Sequence, residues 1–242
     1  MTTVLILGSA PMAVAASDWP RAPFDHVVAI NNAHALRDDW DFMIHPWDFP
    51  IDRLPRPKPG QRLIGEDDFV PAQNALGGFV YAGGTMAFTA TYWALAALKP
   101  KVIAVFGCDM QYPPRGPSHF YGQGTADPLR DDITLRSLEA KSARLLVMGA
   151  RQGCALVNLS DGPSRLVFPR SPRDTAHHAR PQPHDTALAA RALHRETELG
   201  YFVASGRYWE DGCSFDPENL DALDALWLAA IDPDLHKPPF AP

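Results

Sequence analysis

The chain has 242 residues, 46% hydrophobic and 21% charged, enough for one α/β domain with a sizeable core and a small appendage. Twenty-two basic against 28 acidic side chains give a net charge of −6 with no dense Lys/Arg run, which argues against a general nucleic-acid binder. No apolar stretch approaches the roughly 18 residues of a membrane-spanning helix, and the three cysteines, Cys108, Cys154 and Cys213, form no CxxC pair that would suggest a disulfide framework or structural zinc.

Thr3–Leu7 is a short apolar run bounded by Gly8-Ser9-Ala10-Pro11. It reads as a buried parallel strand rather than a secretory leader, because the residues before it carry no positive charge and Pro11 interrupts the apolar stretch. That reading places the protein in the cytoplasm. A second strand is predicted at His26–Ile30, stopping at Asn31-Asn32, and a third at Asp41–Ile44, stopping at His45-Pro46. A fourth is expected near Arg62–Ile64, beyond a proline-dense surface loop from Pro46 to Pro59. Gly83-Gly84-Thr85 opens an apolar helix over Met86–Leu98, and Val102–Phe106 is the strongest strand, ending at Gly107-Cys108-Asp109. A polar loop runs to residue 131, Ile133–Gly149 reads as a helix, and Ala155–Asn158 as a last strand. Strands alternating with helices predict a Rossmann-like, mainly parallel α/β sheet with helices on both faces.

The tail differs. Residues 170–185 read as a Pro/Arg-rich linker or arm after the Rossmann-like domain over 1–169. Residues 186–242 form a helical appendage, with helices at Thr186–Leu199 and Leu220–Ile231 and a loop over Glu210–Pro217. It packs on the sheet domain or offers a surface for a second copy of the chain. The 24 prolines among 242 residues, against a usual share of ~5%, mean long ordered loops of the kind that carry sites.

In open α/β sheets ligands bind beyond the carboxyl ends of the strands, so the polar strand ends are expected to converge. Gly8-Ser9-Ala10 and Gly83-Gly84-Thr85 are either phosphate-binding turns at helix starts or close-packed turns. Asn31 and Asn32 either read a base or sugar or serve turn geometry. The stretch Asp109 to Asp127 crowds Asp109, Tyr112, Arg115, His119, Tyr121, Gln123 and Asp127 into one loop, and a histidine between tyrosines suits proton transfer beside a phosphate. His177, His178, His184 and His194 fit no metal spacing and read as surface residues, and Cys108 as a buried thiol.

Taken in order, Thr3 to Pro11, Asn31-Asn32, Gly83-Gly84-Thr85, Val105 to Met110 and Ser118-His119-Phe120-Tyr121-Gly122 resemble the bacterial sialyltransferases of glycosyltransferase family 42. They are also similar to the related Rossmann-like domain of pterin pyrophosphokinases and flagellin-modifying glycosyltransferases, over about residues 1 to 165. The resemblance implies metal-independent transfer from a cytidine-monophosphate-linked acidic sugar to a saccharide acceptor, with no cofactor. It puts Ser9, Asn31, Asn32, His45 and the Gly83–Thr85 turn on the nucleotide, and Tyr112 and Tyr121 on the departing phosphate. The family's base is a second histidine, where this chain has Gln123, so His119 becomes the candidate base. Two alternatives stay open: a phosphoryl or pyrophosphoryl transferase with a divalent metal on Asp109 and Asp127, and a non-catalytic nucleotide-binding protein.

Overall fold

The structure is a computed structural model that describes residues 2–112, 116–123, 131–210 and 215–236. Six strands, β1 (Thr3–Leu7), β2 (His26–Ile30), β3 (Phe42–Ile44), β4 (Arg62–Ile64), β5 (Val102–Phe106) and β6 (Ala155–Asn158), form one sheet in the order β4-β3-β2-β1-β5-β6. Every neighbouring pair is parallel. The chain winds outward from β1 to β4, returns across the sheet, and adds β5 and β6 on the other side. The direction of winding therefore reverses between β1 and β5, and that is where such sheets open a crevice.

Alternation along the strands sorts their side chains into two cores. Val4, Ile6, Val28, Ile103, Val105 and Leu156 face one core. Leu5, Leu7, Val27, Ala29, Ala104 and Val157 face the other. The first core takes the six α-helices of the described residues: α1 (Glu66–Asn74), α2 (Phe79–Ala82), α3 (Met86–Ala97), α4 (Leu138–Arg151), α5 (Thr186–Leu199) and α6 (Pro217–Ala229). The second face is covered by 3-10 helices, which contribute Ala13, Ala16, Ala33 and Ala176. Helices thus lie on both faces, but the second layer is thin. The alanine methyls of these turns pack beside Phe24, Trp40 and Phe49, which are buried in the same core.

Local chemistry sets the helix bounds. Thr85 caps α3 by accepting from the Phe88 amide, and Asp185 caps α5 by accepting from the Ala187 and Leu188 amides. Gly200 closes α5 with φ +61°, the left-handed conformation glycine adopts without strain. The helix expected over Ile133–Gly149 is divided: a 3-10 turn spans Ile133–Leu135, and α4 restarts on the Ser137 side chain, which accepts from the Ala140 amide. The α1 helix falls where the sequence offered no apolar periodicity. It carries Pro71 inside, and its first turn is acidic, Glu66-Asp67-Asp68, which suits the positive end of a helix dipole.

Of the C-terminal helices, α6 packs on α4 and α5 packs on α6, and all three contribute to one core. Two buried ion pairs tie α4 to these helices, one to α5 and one to α6. Arg144 meets Glu196 through Nε at 2.7 Å, and Lys141 Nζ meets Asp224 Oδ1 at 2.8 Å. Burial holds the Asp224 carboxyl above the usual carboxylate range, with the Lys141 ammonium acting against the shift. No helix among the described residues is long and apolar enough to cross a membrane.

Candidate functional site

A cleft of about 1100 Å³ opens at the carboxyl end of the sheet. Its inner wall is made of strand ends: Gly8-Ser9-Ala10 after β1, Asn31-Asn32 after β2, and Gly107, Cys108 and Met110 after β5. Gly84, Thr85, Met86 and Ala87 reach it from the start of α3, and Tyr112, His119, Tyr121 and Gln123 from the loop beyond β5. Residues dispersed over more than a hundred positions of sequence thus face one volume. Arg115, Gly124 and Asp127 of that loop, and Asp211, Gly212 and Cys213 of the tail, lie outside the described residues.

Backbone geometry at the inner wall is specialised. Asn31 and Met110 both adopt positive φ, +52° and +51°. Such conformations cost a non-glycine residue energy and cluster at sites. The Asn31 Oδ1 atom is buried without a protein hydrogen-bond partner. A buried amide oxygen in that state has unused capacity to accept a hydrogen bond.

At the two glycine turns, where an anion-binding and a close-packed reading stood open, Gly8 and Gly83 serve packing. The Gly8 amide donates to the Phe106 carbonyl at 2.8 Å and the Ala10 amide to the Gly107 carbonyl at 3.0 Å. Pro11, first residue of the following helix, has no N–H to offer, and that helix is 3-10 rather than α. The β1 turn is therefore a close-packed connection. Gly8→Ala is expected to destabilise the fold by about 1–3 kcal/mol, because the added Cβ collides with the Gly107 carbonyl oxygen and Cys108 Sγ. Gly162→Ala, where an added Cβ meets nothing within 4 Å, stays within about 0.5 kcal/mol of wild type. Chemical unfolding of the two variants checks both.

At the second turn, Gly83 serves packing. Its φ is +89°, and a Cβ there would press on Phe88 at 2.9 Å and Lys141 at 3.2 Å. Gly83 is not on the cleft wall. The Gly84 amide donates to Thr134 Oγ1 at 3.0 Å. Thr85 keeps its place at the cleft as the cap of α3, with Met86 and Ala87 following in the first turn.

Two further positions depart from the expected site. Asp109 is buried away from the cleft wall, where its carboxylate accepts from Asn158 Nδ2 at 3.0 Å and Ser160 Oγ at 2.6 Å. It ties β5 to β6 rather than facing a ligand. His45 hydrogen-bonds the Pro46 carbonyl through Nδ1 at 3.0 Å and packs on Phe49, and the residues after it, Trp47 to Pro50, line the cleft in its place. Cys108 reaches the wall, but burial pushes its thiol well above the usual range and keeps it protonated.

His119 is the best-organised titratable group of the inner wall. Its Nδ1 lies 2.9 Å from Ser118 Oγ, and its ring stacks on Tyr121 at 4.9 Å with Tyr112 at 6.2 Å on the centroids. A tight turn holds it: the amides of His119 and Gly122 each donate to the other's carbonyl at 3.0 Å. The Phe120 amide donates to the Ser9 carbonyl at 3.0 Å, which docks the loop on the β1 turn. Gln123, also on the wall, approaches the Gly116 carbonyl at 3.5 Å.

The outer wall was not legible in the sequence. It consists of Trp47 and Asp48 after β3, Glu66 and Phe69 from α1, Asp132, and Ser205 to Trp209 ahead of α6. Arg207 Nη2 meets Glu66 Oε2 at 2.9 Å, and its guanidinium lies 5.7 Å from the centre of the Trp47 ring. The Tyr208 hydroxyl donates to Asp132 Oδ2 at 2.5 Å, while Thr134 donates to Asp132 Oδ1 through its amide at 2.8 Å and its hydroxyl at 2.7 Å. The one signal available beforehand was tryptophan in polar surroundings, at Trp47 in the proline-dense loop and Trp209 in the tail. Among the described residues no group of three or more His, Cys, Asp or Glu side chains is placed to hold a metal ion. No protein-family model, curated protein or solved structure matches the chain.

Proposed function

We propose that the cleft binds a nucleotide sugar and that the chain transfers its sugar to a saccharide acceptor, the donor being a cytidine-monophosphate-linked acidic sugar. The observation that supports this reading is the convergence of Asn31, Asn32, Thr85, Tyr112, His119 and Tyr121 on one cleft at the β1–β5 reversal of the sheet. A volume of about 1100 Å³ suits a ligand of two linked parts. The first turn of α3 presents Met86 and Ala87 at the wall, and the positive end of the helix favours a phosphate there. Asn31 Oδ1 accepts from the nucleoside or sugar.

In this reading the acceptor hydroxyl attacks the anomeric carbon as the bond to the phosphate oxygen breaks. The Tyr112 and Tyr121 hydroxyls stabilise the departing phosphate, and the hydroxyl proton passes to His119, because Gln123 has no basic nitrogen to receive it. No metal enters this scheme. Against the phosphoryl-transfer alternative, its proposed ligand Asp109 is engaged by Asn158 and Ser160.

Thermal unfolding of the full chain tests the reading, using cytidine monophosphate, its sialic-acid conjugate, ATP and a pterin, each with and without magnesium. At a hundredfold excess over Kd, the cytidine ligands are expected to add about 2.7 kcal/mol, a rise of several degrees in Tm, without magnesium. Stabilisation by ATP or a pterin alone, and only with magnesium, would establish the phosphoryl-transfer alternative instead. Tight cytidine binding with no donor turnover would make the chain a binding protein.

A further inference from the structure

We infer that Thr134, which lies behind the cleft wall, is a positioning residue for the first turn of α3, and that it makes the segment between α5 and α6 part of the binding machinery through Asp132 and Tyr208. The inference rests on the cleft taking its phosphate at that turn, and it adds what holds the turn in place. Thr134 is 0% exposed and is not on the wall, whereas Gly84, Thr85, Asp132 and Tyr208 are.

The hydrogen bonds run in one direction. The Tyr208 hydroxyl gives its proton to Asp132 Oδ2 at 2.5 Å. The Thr134 hydroxyl gives its proton to Asp132 Oδ1 at 2.7 Å, and the Thr134 amide donates to the same oxygen at 2.8 Å. With that proton committed, Thr134 Oγ1 serves Gly84 as an acceptor, and the Gly84 amide donates to it at 3.0 Å. The Tyr208 hydroxyl also lies 3.3 Å from Thr134 Oγ1. Each of these contacts reaches the α3 turn through Thr134.

The consequence falls on Gly84. Two successive glycines leave the backbone wide freedom, so local sequence does not fix how the chain enters α3. Gly83 is held by packing on Phe88 and Lys141, and Gly84 by Thr134. The first amides of a helix have no intrahelical partner, and the direction in which Met86 and Ala87 present theirs follows from how Gly84 is held. Asp132 comes directly after the loop that carries Tyr112, His119 and Gln123, so one carboxylate gathers the end of that loop, the α3 turn and the tail.

Calorimetric titration of the full chain with cytidine monophosphate tests this. Thr134→Val keeps the side-chain shape and strands the Gly84 amide, and is expected to weaken binding about tenfold. Thr134→Ser keeps the hydroxyl and is expected to stay within about twofold of the unaltered chain. Tyr208→Phe is expected to cost about threefold, and the double variant with Thr134→Val no more than Thr134→Val alone, because the tyrosine acts through the threonine. Tyr201→Phe removes a hydroxyl of the same tail, one that accepts from the Asp216 amide at 3.2 Å, and is expected to bind normally. In turnover, Thr134→Val is expected to raise KM for the donor at unchanged kcat, whereas partial unfolding would lower kcat at unchanged KM. Unchanged affinity in Thr134→Val overturns the inference. So do losses that multiply in the double variant, which would make Tyr208 a direct ligand contact. If cytidine monophosphate does not bind the unaltered chain, the donor reading falls, and inorganic pyrophosphate then tests the α3 turn by itself. Pyrophosphate affinity lowered by Thr134→Val upholds the inference; affinity unchanged by it, or no pyrophosphate binding at all, overturns it.

Discussion

Glu196→Ala is expected to lower the free energy of unfolding by about 3–5 kcal/mol. The Arg144 side chain, 1% exposed, is bound by Glu196 through both carboxylate oxygens, at 2.7 and 2.8 Å. It donates further to the Tyr92 hydroxyl at 2.6 Å and the Leu76 carbonyl at 2.7 Å, and Trp227 Nε1 donates to Glu196 Oε1 at 3.0 Å. Burial by itself pushes the guanidinium down, but the Glu196 carboxylate and the Tyr92 hydroxyl outweigh it and hold Arg144 above its ordinary value. The arginine thus stays charged, and deleting its partner leaves an uncompensated charge in the core. Urea unfolding followed by circular dichroism measures the loss, and a loss below about 1 kcal/mol would refute the assignment. Replacing both partners with apolar residues of similar volume is expected to recover most of the stability, because the cost lies in the orphaned charge. The exposed pair Arg136–Asp221, 40% and 53% accessible at its side chains, is the contrast: Asp221→Ala is expected to leave the unfolding midpoint near wild type. The buried Arg144–Glu196 pair also bears on the site, since the Tyr81 hydroxyl donates to the Glu196 carbonyl and accepts from the Tyr201 amide, just ahead of Ser205 to Trp209 on the outer wall.

The second large effect is on turnover. Under the proposed function, His119→Ala is expected to reduce transfer by about 10²- to 10⁴-fold while cytidine monophosphate still raises Tm. The geometry motivates a proton-transfer role: Ser118 Oγ sits at Nδ1, Tyr121 stacks on the ring, and reciprocal backbone hydrogen bonds with Gly122 hold the residue. A loss caused by general disorder of the loop would lower nucleotide protection as well, since the loop is docked on Ser9. The pH profile separates the cases further. Loss of a base removes the acid limb of kcat/KM, whereas loss of positioning lowers the whole curve. Turnover unchanged in the variant would remove His119 from the chemistry. Gln123→His adds a basic nitrogen on the same wall and is expected to rescue part of the activity of His119→Ala.

Legibility followed burial. Five of the six strands match their predicted bounds, and β3 begins one residue later than expected, at Phe42. The reason is physical: a parallel strand covered on both faces must be apolar along its length, so Thr3–Leu7 and Val102–Phe106 declare themselves. The α5 helix was equally clear, with Asp185 as cap and Gly200 as stop. The α1 helix was not, because Pro71 and three leading acids hide a helix whose buried side chains are Phe69 and Gln73. The break between Ile133–Leu135 and α4 was masked by leucines on both sides of Ser137.

The site divided along the same line. Strand ends were readable as small or amide residues following apolar runs, and parallel topology carried Asn31 and Thr85 to the same cleft. Local sequence alone decided that such a rim exists, because a continuous parallel sheet brings its strand ends together whatever the helices do. It did not decide which groups on the rim are already engaged. The amides of Gly8 and Ala10 are taken by β5, and Asp109 is taken by Asn158 and Ser160. Nor did it reveal the outer wall. Arg207 meets Glu66 across 141 positions of sequence, and Tyr208 meets Asp132 across 76. No pattern of spacing encodes such pairings, since they arise only when α5 and α6 seat on α4 through Arg144–Glu196 and Lys141–Asp224 and bring the tail back over the cleft.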